Sequence, residues 1–451
     1  MVVDGWLARA AARRPGAPAL QTPAGTLSYR ELDVEARAGA AALRARGVAP
    51  GDRVAIALPA GLDFATALHA CMTLGAVAVP VDLRLAAPER ERVCAGAALT
   101  LLEPLATGEA GARAGDGARA ATAAPSRHDL ASTALIVHTS GTTAAPRPVE
   151  LTYGNLLWSA LGSGVALGVD PEERWLCTLP LSHVGGLSIL IRSAIYATTA
   201  VVHERFETER ALHALEHEQI TLVSVVATTL ARLLDAGLAR PAALRCALAG
   251  GGPVPAALRE RALAEGVPVS LTYGLTETCS QATTLPVAAI SEPGHAAGPP
   301  LFCTRLRLAE DGEIMLAGPT VARSAALEGG WLASGDLGRL DARGWLQVVG
   351  RKADTIVSGG ENVAPAEVEA VLEAHPDVLE AAVLAHADER WGEAVAAVVV
   401  ARPGAVLDSE QLAAHCRSAL APYKVPKDFL ARTEPLPRTA SGKLLRRELA
   451  A

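Results

Sequence analysis

Ala134-Leu-Ile-Val-His-Thr-Ser-Gly-Thr-Thr143 is the stretch on which the fold turns. Its first five residues form a short apolar run, the pattern of a buried strand, and its last five are small and hydroxyl-bearing. A buried strand that opens into a loop of threonines, serine and glycine belongs to an α/β fold built on parallel sheet, where such loops lie at the carboxyl ends of strands. The loop offers hydroxyls and unobstructed backbone N–H groups, the donors that a polyphosphate needs. It lacks the G-x-x-x-x-G-K-[ST] pattern and is not a Walker loop. By itself the segment would read as an ordinary polar turn.

Upstream, the same alternation runs through a predicted helix (Leu32 to Arg46) and two strand candidates, Arg53-Val-Ala-Ile-Ala-Leu58 and Ala76-Val-Ala-Val-Pro80. The Ala/Gly/Arg-rich segment Ala106 to His128 has no apolar periodicity and reads as a solvated loop. Downstream, α/β alternation is expected to continue to about Leu316. Near Gly350-Arg-Lys-Ala-Asp354 the pattern changes. A glycine-rich turn, Ser358-Gly-Gly-Glu-Asn362, precedes a helix (Ala366 to His375), strand-like runs Val378 to Ala385 and Ala394 to Ala401, a second helix (Ser409 to Leu420) and a basic tail. This α+β text of about a hundred residues predicts a small domain over 351–451 following a large one over 1–350.

The chain's 451 residues exceed what one core organises. Half are hydrophobic, chiefly Ala, Val and Leu, so the chain is globular rather than disordered. A net charge of −7, with no basic stripe interleaved with aromatics, excludes nucleic acid as the expected partner. Seven cysteines are scattered singly, without a CxxC pair, which argues against a disulfide framework and a zinc site and fits a reducing cytoplasm. Met1 to Leu20 lacks the order of a secretory signal. The longest apolar run, Ala65 to Val81, contains His69 and Thr73 and ends at a proline, so a buried helix and strand are expected there and no membrane span.

Further polar constellations follow in order. Leu271-Thr-Tyr-Gly-Leu-Thr-Glu-Thr-Cys-Ser-Gln281 sets one carboxylate, Glu277, between Thr276 and Thr278 after a Tyr-Gly turn; it suits Mg²⁺ shared with phosphate, or else a helix cap. Asp336, in Gly335-Asp336, and Arg351 mark another polar turn, where the acid could accept hydrogen bonds from ribose hydroxyls or simply be solvated. Arg438-Thr-Ala-Ser-Gly-Lys443 ends in a glycine-preceded lysine, a cation able to meet phosphate and carboxylate together or else a surface residue.

In order and spacing these segments resemble the adenylate-forming superfamily of acyl-CoA synthetases, adenylation domains of nonribosomal peptide synthesis and firefly-type luciferases, over nearly the whole chain. The matching motifs are Thr139 to Thr143, Ala249-Gly-Gly-Gly-Pro253, Tyr273-Gly-Leu-Thr-Glu277, Ser334-Gly-Asp336, Gly350-Arg351, Ser358-Gly-Gly-Glu-Asn362 and Ser441-Gly-Lys443. Within the superfamily, Trp175-Leu-Cys-Thr-Leu-Pro-Leu-Ser-His-Val-Gly-Gly-Leu-Ser188, Tyr273 to Gln281 and Gly359 to Glu367 look most like the 2-succinylbenzoate–CoA ligases of menaquinone biosynthesis.

The resemblance implies an ATP-dependent ligase with Mg²⁺ as cofactor and coenzyme A as co-substrate, in which a small mobile C-terminal domain rotates between two half-reactions. It implies that Lys443 supports attack of the acid on the α-phosphate and that Glu277 holds Mg²⁺. Thr139, Ser140, Gly141, Thr142 and Thr143 would take the phosphates, Gly250, Gly251 and Gly252 the adenine face beside Tyr273, and Asp336 and Arg351 the ribose. Ser358, Gly359, Gly360 and Asn362 would line the coenzyme A tunnel. Thr276 and His183 join Lys443 and Glu277 as catalytic candidates, His183 as an aromatic gate. For the acid, Gly185 and Gly186 would let a flat ring approach the backbone, and Ser188 and Arg192 would share one helix face. Ser280 and Gln281 would donate from the opposite wall. The alternative for Arg192 is an outward, solvated cation.

The chain departs from the family pattern at three places. Ala144-Ala-Pro-Arg-Pro148 replaces a usual Gly-x-Pro-Lys-Gly, Ser182 stands where many relatives carry an aromatic, and Ala353 stands where many hinge on Asp or Lys. Other outcomes open to the sequence are a synthetase for another aromatic or fatty acid, a module loading a carrier protein, and a nucleotide-binding protein without catalysis. A homo-oligomer is compatible with it.

Overall fold

The computed structural model of the chain describes residues 1–106, 126–139, 147–292, 294–358, 361–388, 392–438 and 444–449. The expected loop at Ala106 to His128 therefore lies almost wholly outside the described residues, as do Ser140, Gly141, Thr142, Thr143, Gly359, Gly360 and Lys443.

Two largely parallel sheets carry the nucleotide-side architecture. One orders its strands Leu99–Leu101, Arg53–Ile56, Val77–Pro80 and Thr133–Thr139 in parallel, then Arg147–Thr152 antiparallel at the edge. The other has eight strands. Its parallel run is Val269–Tyr273, Cys246–Ala249, Leu222–Val225, Arg174–Cys177, Thr199–Val202 and Pro18–Thr22, with short antiparallel strands at both edges. Helices cover these sheets, as a parallel strand buried on both faces requires. The strands accordingly read as largely apolar runs, interrupted in these three only by Ser224: Val77–Pro80, Leu222–Val225 and Cys246–Ala249 are buried at every position.

The long apolar run resolves into a helix, Leu62–Leu74, ended by Gly75 in the left-handed conformation, and the strand Val77–Pro80. No helix among the described residues is long and apolar enough to cross a membrane.

The expected α/β alternation stops short of Leu316. From Arg305 to Arg351 the chain is instead an antiparallel four-stranded meander: Arg305–Leu308, Glu313–Ala317, Trp331–Leu340 and Leu346–Arg351. One face of this sheet is solvated, so its strands alternate and carry charge (Arg305, Arg307), a pattern easily confused with loop. Gly350 and Arg351 close its last strand.

Beyond it lies the small α+β domain. The strands Glu361–Val363, Ile356–Ser358, Gly392–Ala401 and Val378–Asp388 follow in that order, with Asp428–Arg432 parallel to Gly392–Ala401. The helices Pro365–Glu373 and Ser409–Ala419 contribute Val368, Leu372, Leu412 and Cys416 to this domain's own core. The two long strands outrun the expected bounds because they pair with each other through Asp388 opposite Gly392.

Candidate active site

The loops expected to bind nucleotide leave the carboxyl ends of adjacent parallel strands, the edge at which open α/β sheets bind ligands. Gly250 to Gly252 follow Cys246–Ala249, and Gly274 to Gln281 follow the neighbouring Val269–Tyr273. The two loops touch closely: a Cβ on Gly250 would stand 2.7 Å from Thr272 Cγ2 and 2.9 Å from its carbonyl oxygen, and Gly251 has φ +78°. Gly274 is constrained further. A Cβ there would fall 1.7 Å from the Ser280 carbonyl oxygen, so only glycine lets the turn fold back on itself. The return passes through Cys279 (φ 56°) and Ser280 (φ 94°), left-handed conformations that non-glycine residues seldom hold.

Within this turn Thr276–Thr278 form one turn of 3-10 helix. Its cap is made by Thr278, whose Oγ1 accepts from Leu275 N at 2.8 Å. The Glu277 side chain is half-buried and has no hydrogen bond or ion pair among the described residues, so the helix-cap alternative is set aside. No group of three or more metal-ligating side chains exists among the described residues. A lone free carboxylate beside Thr276 fits Mg²⁺, which takes one or two carboxylates and completes its shell with phosphate and water.

Tyr273 ties this loop to the antiparallel meander. Its hydroxyl donates to Asp336 Oδ2 at 2.8 Å, and Arg351 Nε stands 2.8 Å from Asp336 Oδ1. Asp336 and Arg351 are register partners on neighbouring strands, and Gly335, at φ +71°, makes the bend that buries the carboxylate. Burial, then the negative Asp336, hold the Tyr273 hydroxyl far above its ordinary pKa. The structure thus joins the expected ribose pair to the Tyr-Gly turn, a contact across 63 residues that spacing does not reveal.

The expected acid-binding residues lie on Val184–Tyr196, a helix whose N-cap position is His183. Ser188 and Arg192 share its buried face. Arg192 is 2% exposed, which removes the solvated-cation alternative. Its Nη2 donates to Ser159 Oγ at 3.0 Å, the guanidinium lies 5.8 Å from the Trp175 ring centroid, and Nε has no partner. Ser159 in turn donates to the Cys279 carbonyl at 2.6 Å, which brings Arg192 behind the turn that carries Ser280 and Gln281. No carboxylate pairs with Arg192 among the described residues, and burial pushes its pKa down. A buried guanidinium without a paired anion is expensive.

Gln281, 1% exposed, donates to Thr284 Oγ1 at 2.7 Å and leaves Oε1 unpartnered. Its side-chain nitrogen is thus engaged by Thr284 of the short edge strand Thr283–Thr284, with Thr272 Oγ1 of the neighbouring strand at 3.5 Å. Gly186 is also taken up by the chain: a Cβ there would meet the carbonyl oxygens of Pro180 at 2.6 Å and Leu179 at 2.8 Å. Of the paired glycines, Gly185 alone is not closed off by backbone.

His183, half-buried, stands 3.8 Å from Asp82, which follows the strand Val77–Pro80 of the other sheet. Sequence reading missed Asp82 and Ser159, and gave Trp175 no place beside Arg192. Asp82 was reachable from its place just past a predicted strand end, whereas Ser159 is exposed only by a tertiary contact. Thr139 closes its strand with Oγ1 donating to the Arg147 carbonyl at 3.4 Å, and the strand Arg147–Thr152 runs beside the Thr276–Thr278 turn. Ser358 is buried at the end of Ile356–Ser358, opposite Glu361 in the ladder.

Comparison with known proteins agrees with this geometry. The model of the AMP-binding enzyme family matches residues 7–324, and that of the AMP-binding enzyme C-terminal domain matches 367–443. A 2-succinylbenzoate–CoA ligase of Bacillus subtilis is 37% identical across 98% of this chain and 97% of its own. Among solved structures, o-succinylbenzoate CoA synthetase from Bacillus subtilis in complex with its acyl-adenylate intermediate has a TM-score of 0.89 at 36% identity, covering 100% of this chain and 99% of that one. The same synthetase with ATP and magnesium ion gives 0.88 at 36% identity, with both chains fully covered. A double mutant of it bound to a product analogue gives 0.73 at the same identity, covering 100% and 98%. A family model spanning most of its length and a relative similar from end to end show that the chain belongs to the AMP-binding enzyme family.

Proposed function

We propose that this protein is an ATP-dependent 2-succinylbenzoate–CoA ligase of menaquinone biosynthesis, acting in the cytoplasm. In the first half-reaction the succinyl carboxylate attacks the α-phosphorus of ATP, the bond to the β-phosphate oxygen breaks, and pyrophosphate leaves. In the second the coenzyme A sulfur attacks the acyl carbon, the thiol proton passes to solvent, and AMP departs. Magnesium, held by Glu277, neutralises phosphate charge. Thr139 to Thr143 take the phosphates, Gly250 to Gly252 and Tyr273 the adenine, and Asp336 with Arg351 the ribose. We divide the chain at 350/351, with Lys443 serving the first step and Ser358 to Asn362 the second. Free cysteines throughout support a reducing compartment.

Arg192 is the observation that carries the choice of acid. The substrate has a second carboxylate, on the ring, that must stay unreacted in a partly apolar pocket. A buried guanidinium with no counter-ion among the described residues, on the helix face of Ser188 and behind the Ser280 turn, supplies the positive partner that this carboxylate needs.

Pyrophosphate release measured over a panel of aromatic, dicarboxylic and fatty acids, with and without coenzyme A, tests the assignment. It is expected to be greatest with 2-succinylbenzoate and to yield its thioester only when coenzyme A is present. Preference for a monocarboxylic acid would overturn the substrate and keep the ligase; pyrophosphate release that needs a carrier protein would overturn the acceptor. Replacing Glu277 by Gln is expected to raise the Mg²⁺ needed for half-maximal adenylation about tenfold and to lower the rate, because a neutral amide binds a hard cation poorly. An unchanged magnesium titration would remove Glu277 from the metal site.

A further inference from the structure

The two walls assigned to the nucleotide come from different sheets. Gly250 to Gly252 leave the eight-stranded sheet and lead into the helix Ala256–Ala264, whereas Asp336 and Arg351 stand on the last two strands of the meander. Adenine and ribose are joined by one glycosidic bond, so walls that grip both must keep a fixed separation. At the site itself the Tyr273–Asp336 hydrogen bond crosses between them. A second link lies behind the site, along residues 290–298.

Arg259 is the centre of that link. It lies on the buried face of Ala256–Ala264 and is 4% exposed. Its Nη2 donates to the Ile290 carbonyl at 2.7 Å and to the Glu292 carbonyl at 3.4 Å, and its Nη1 to the Gly294 carbonyl at 2.8 Å. A segment outside any ladder must find donors for its inward carbonyls, and the planar fork of one arginine supplies them together. Next along, the His295 ring faces both the Arg259 guanidinium and the backbone of Val254, two residues past Gly252.

The same segment grips the meander at its other end. Ala297 N donates to the Leu346 carbonyl at 2.7 Å, Leu346 N donates to the Gly298 carbonyl at 3.0 Å, and Leu346 opens the strand that ends at Arg351. Glu292 Oε2 stands 2.5 Å from Arg343 Nη1, in the turn between the two strands that carry Asp336 and Arg351. Gly298, at φ +81°, permits the approach, since a Cβ there would fall 2.2 Å from the Thr284 carbonyl.

We infer that Arg259 is a positioning residue for the nucleotide: through residues 290–298 it sets the separation between the adenine loop and the ribose pair. It touches no reacting atom. The inference rests on the ligase reading, which assigns those walls to adenine and ribose. Walls held in place beforehand bind without the cost of ordering them, so loosening the link weakens nucleotide binding more than it slows a nucleotide already seated. A mere loop anchor behaves otherwise: its loss lowers stability and leaves the affinity of the folded protein as it was.

The test measures equilibrium binding of AMP and 2′-deoxy-AMP, and ATP kinetics, in the full-length protein with Arg259→Met, Arg259→Lys and Glu292→Arg. Arg259→Met should weaken AMP about tenfold, within the range for residues that act through their neighbours. 2′-Deoxy-AMP, with one ribose hydroxyl fewer to misalign against Asp336, should weaken less, so the preference for AMP narrows. The KM for ATP should rise in step while kcat changes little. Arg259→Lys keeps the charge but loses the fork, and should show the same pattern at about threefold. Glu292→Arg sets like charges together at an exposed position and should weaken AMP about twofold with an unchanged melting temperature. A lower melting temperature with unchanged AMP affinity in the Arg259 variants would overturn the inference; if neither of them folds, unchanged affinity in Glu292→Arg overturns it. AMP binding needs neither acid nor coenzyme A. These shifts in a protein that activates no acid would sink the ligase reading alone, and a wild type that binds no AMP would sink the nucleotide site itself.

Discussion

Arg192→Met is expected to make the protein more stable and nearly inactive on 2-succinylbenzoate. The two effects share one cause. Arg192 is buried with a single hydrogen bond to a side chain, one ring contact and no counter-ion among the described residues. Exchanging a buried ionic group for an apolar one of similar volume returns desolvation energy, on the order of 1–3 kcal/mol. That corresponds to an apparent melting temperature higher by a few degrees. The ring carboxylate of the substrate then meets no charge, and loss of such a partner costs about 2–4 kcal/mol of binding, or roughly 30- to 1,000-fold in kcat/KM. An analogue lacking the ring carboxylate never used the guanidinium and should be activated about as well as by the wild type. Thermal denaturation together with pyrophosphate release on both acids checks this. Equal losses on the two acids, or a lower melting temperature, would return Arg192 to a purely structural role.

Lys443→Ala is expected to lower adenylate formation by about 10²–10³-fold, the usual loss when one pre-aligned charge at a reacting centre is removed. Transfer to coenzyme A from a supplied acyl-adenylate should persist, because in a protein that rotates between steps the lysine serves only the first. Single-turnover measurements of the two halves separate these outcomes. Lys443 lies outside the described residues, but its flanks are fixed: Arg438 and Leu444 form an antiparallel bridge, Arg438 approaches Glu380 at 3.4 Å, and Arg446 is bound to Glu369. The small domain thus presents a firm base on either side of the segment. Parallel loss of both steps would refute a division of labour between the arrangements.

By itself the sequence determined the α/β class, the order of the motif loops and the presence of a small α+β domain toward the C-terminal end. The physical reason is that parallel strands buried on both faces are mostly apolar, as Val77–Pro80 and Cys246–Ala249 are, and the loops at their carboxyl ends are small or polar. The meander Arg305–Arg351 was not legible, because strands with one wet face carry charges and resemble loop. Tertiary structure alone decided which side chains meet. Asp336 with Tyr273, Arg192 with Ser159, His183 with Asp82 and Lys352 with Glu313 are each joined across 33 or more residues by sheet order and helix packing. It also decided the sense of single residues. Arg192 on an amphipathic-looking helix is a buried cation because that helix is covered on both sides, and Gly186 is filled by backbone because the preceding loop folds over it. Periodicity states which face of a helix is apolar; whether a charge on it meets water depends on what the rest of the chain packs against it.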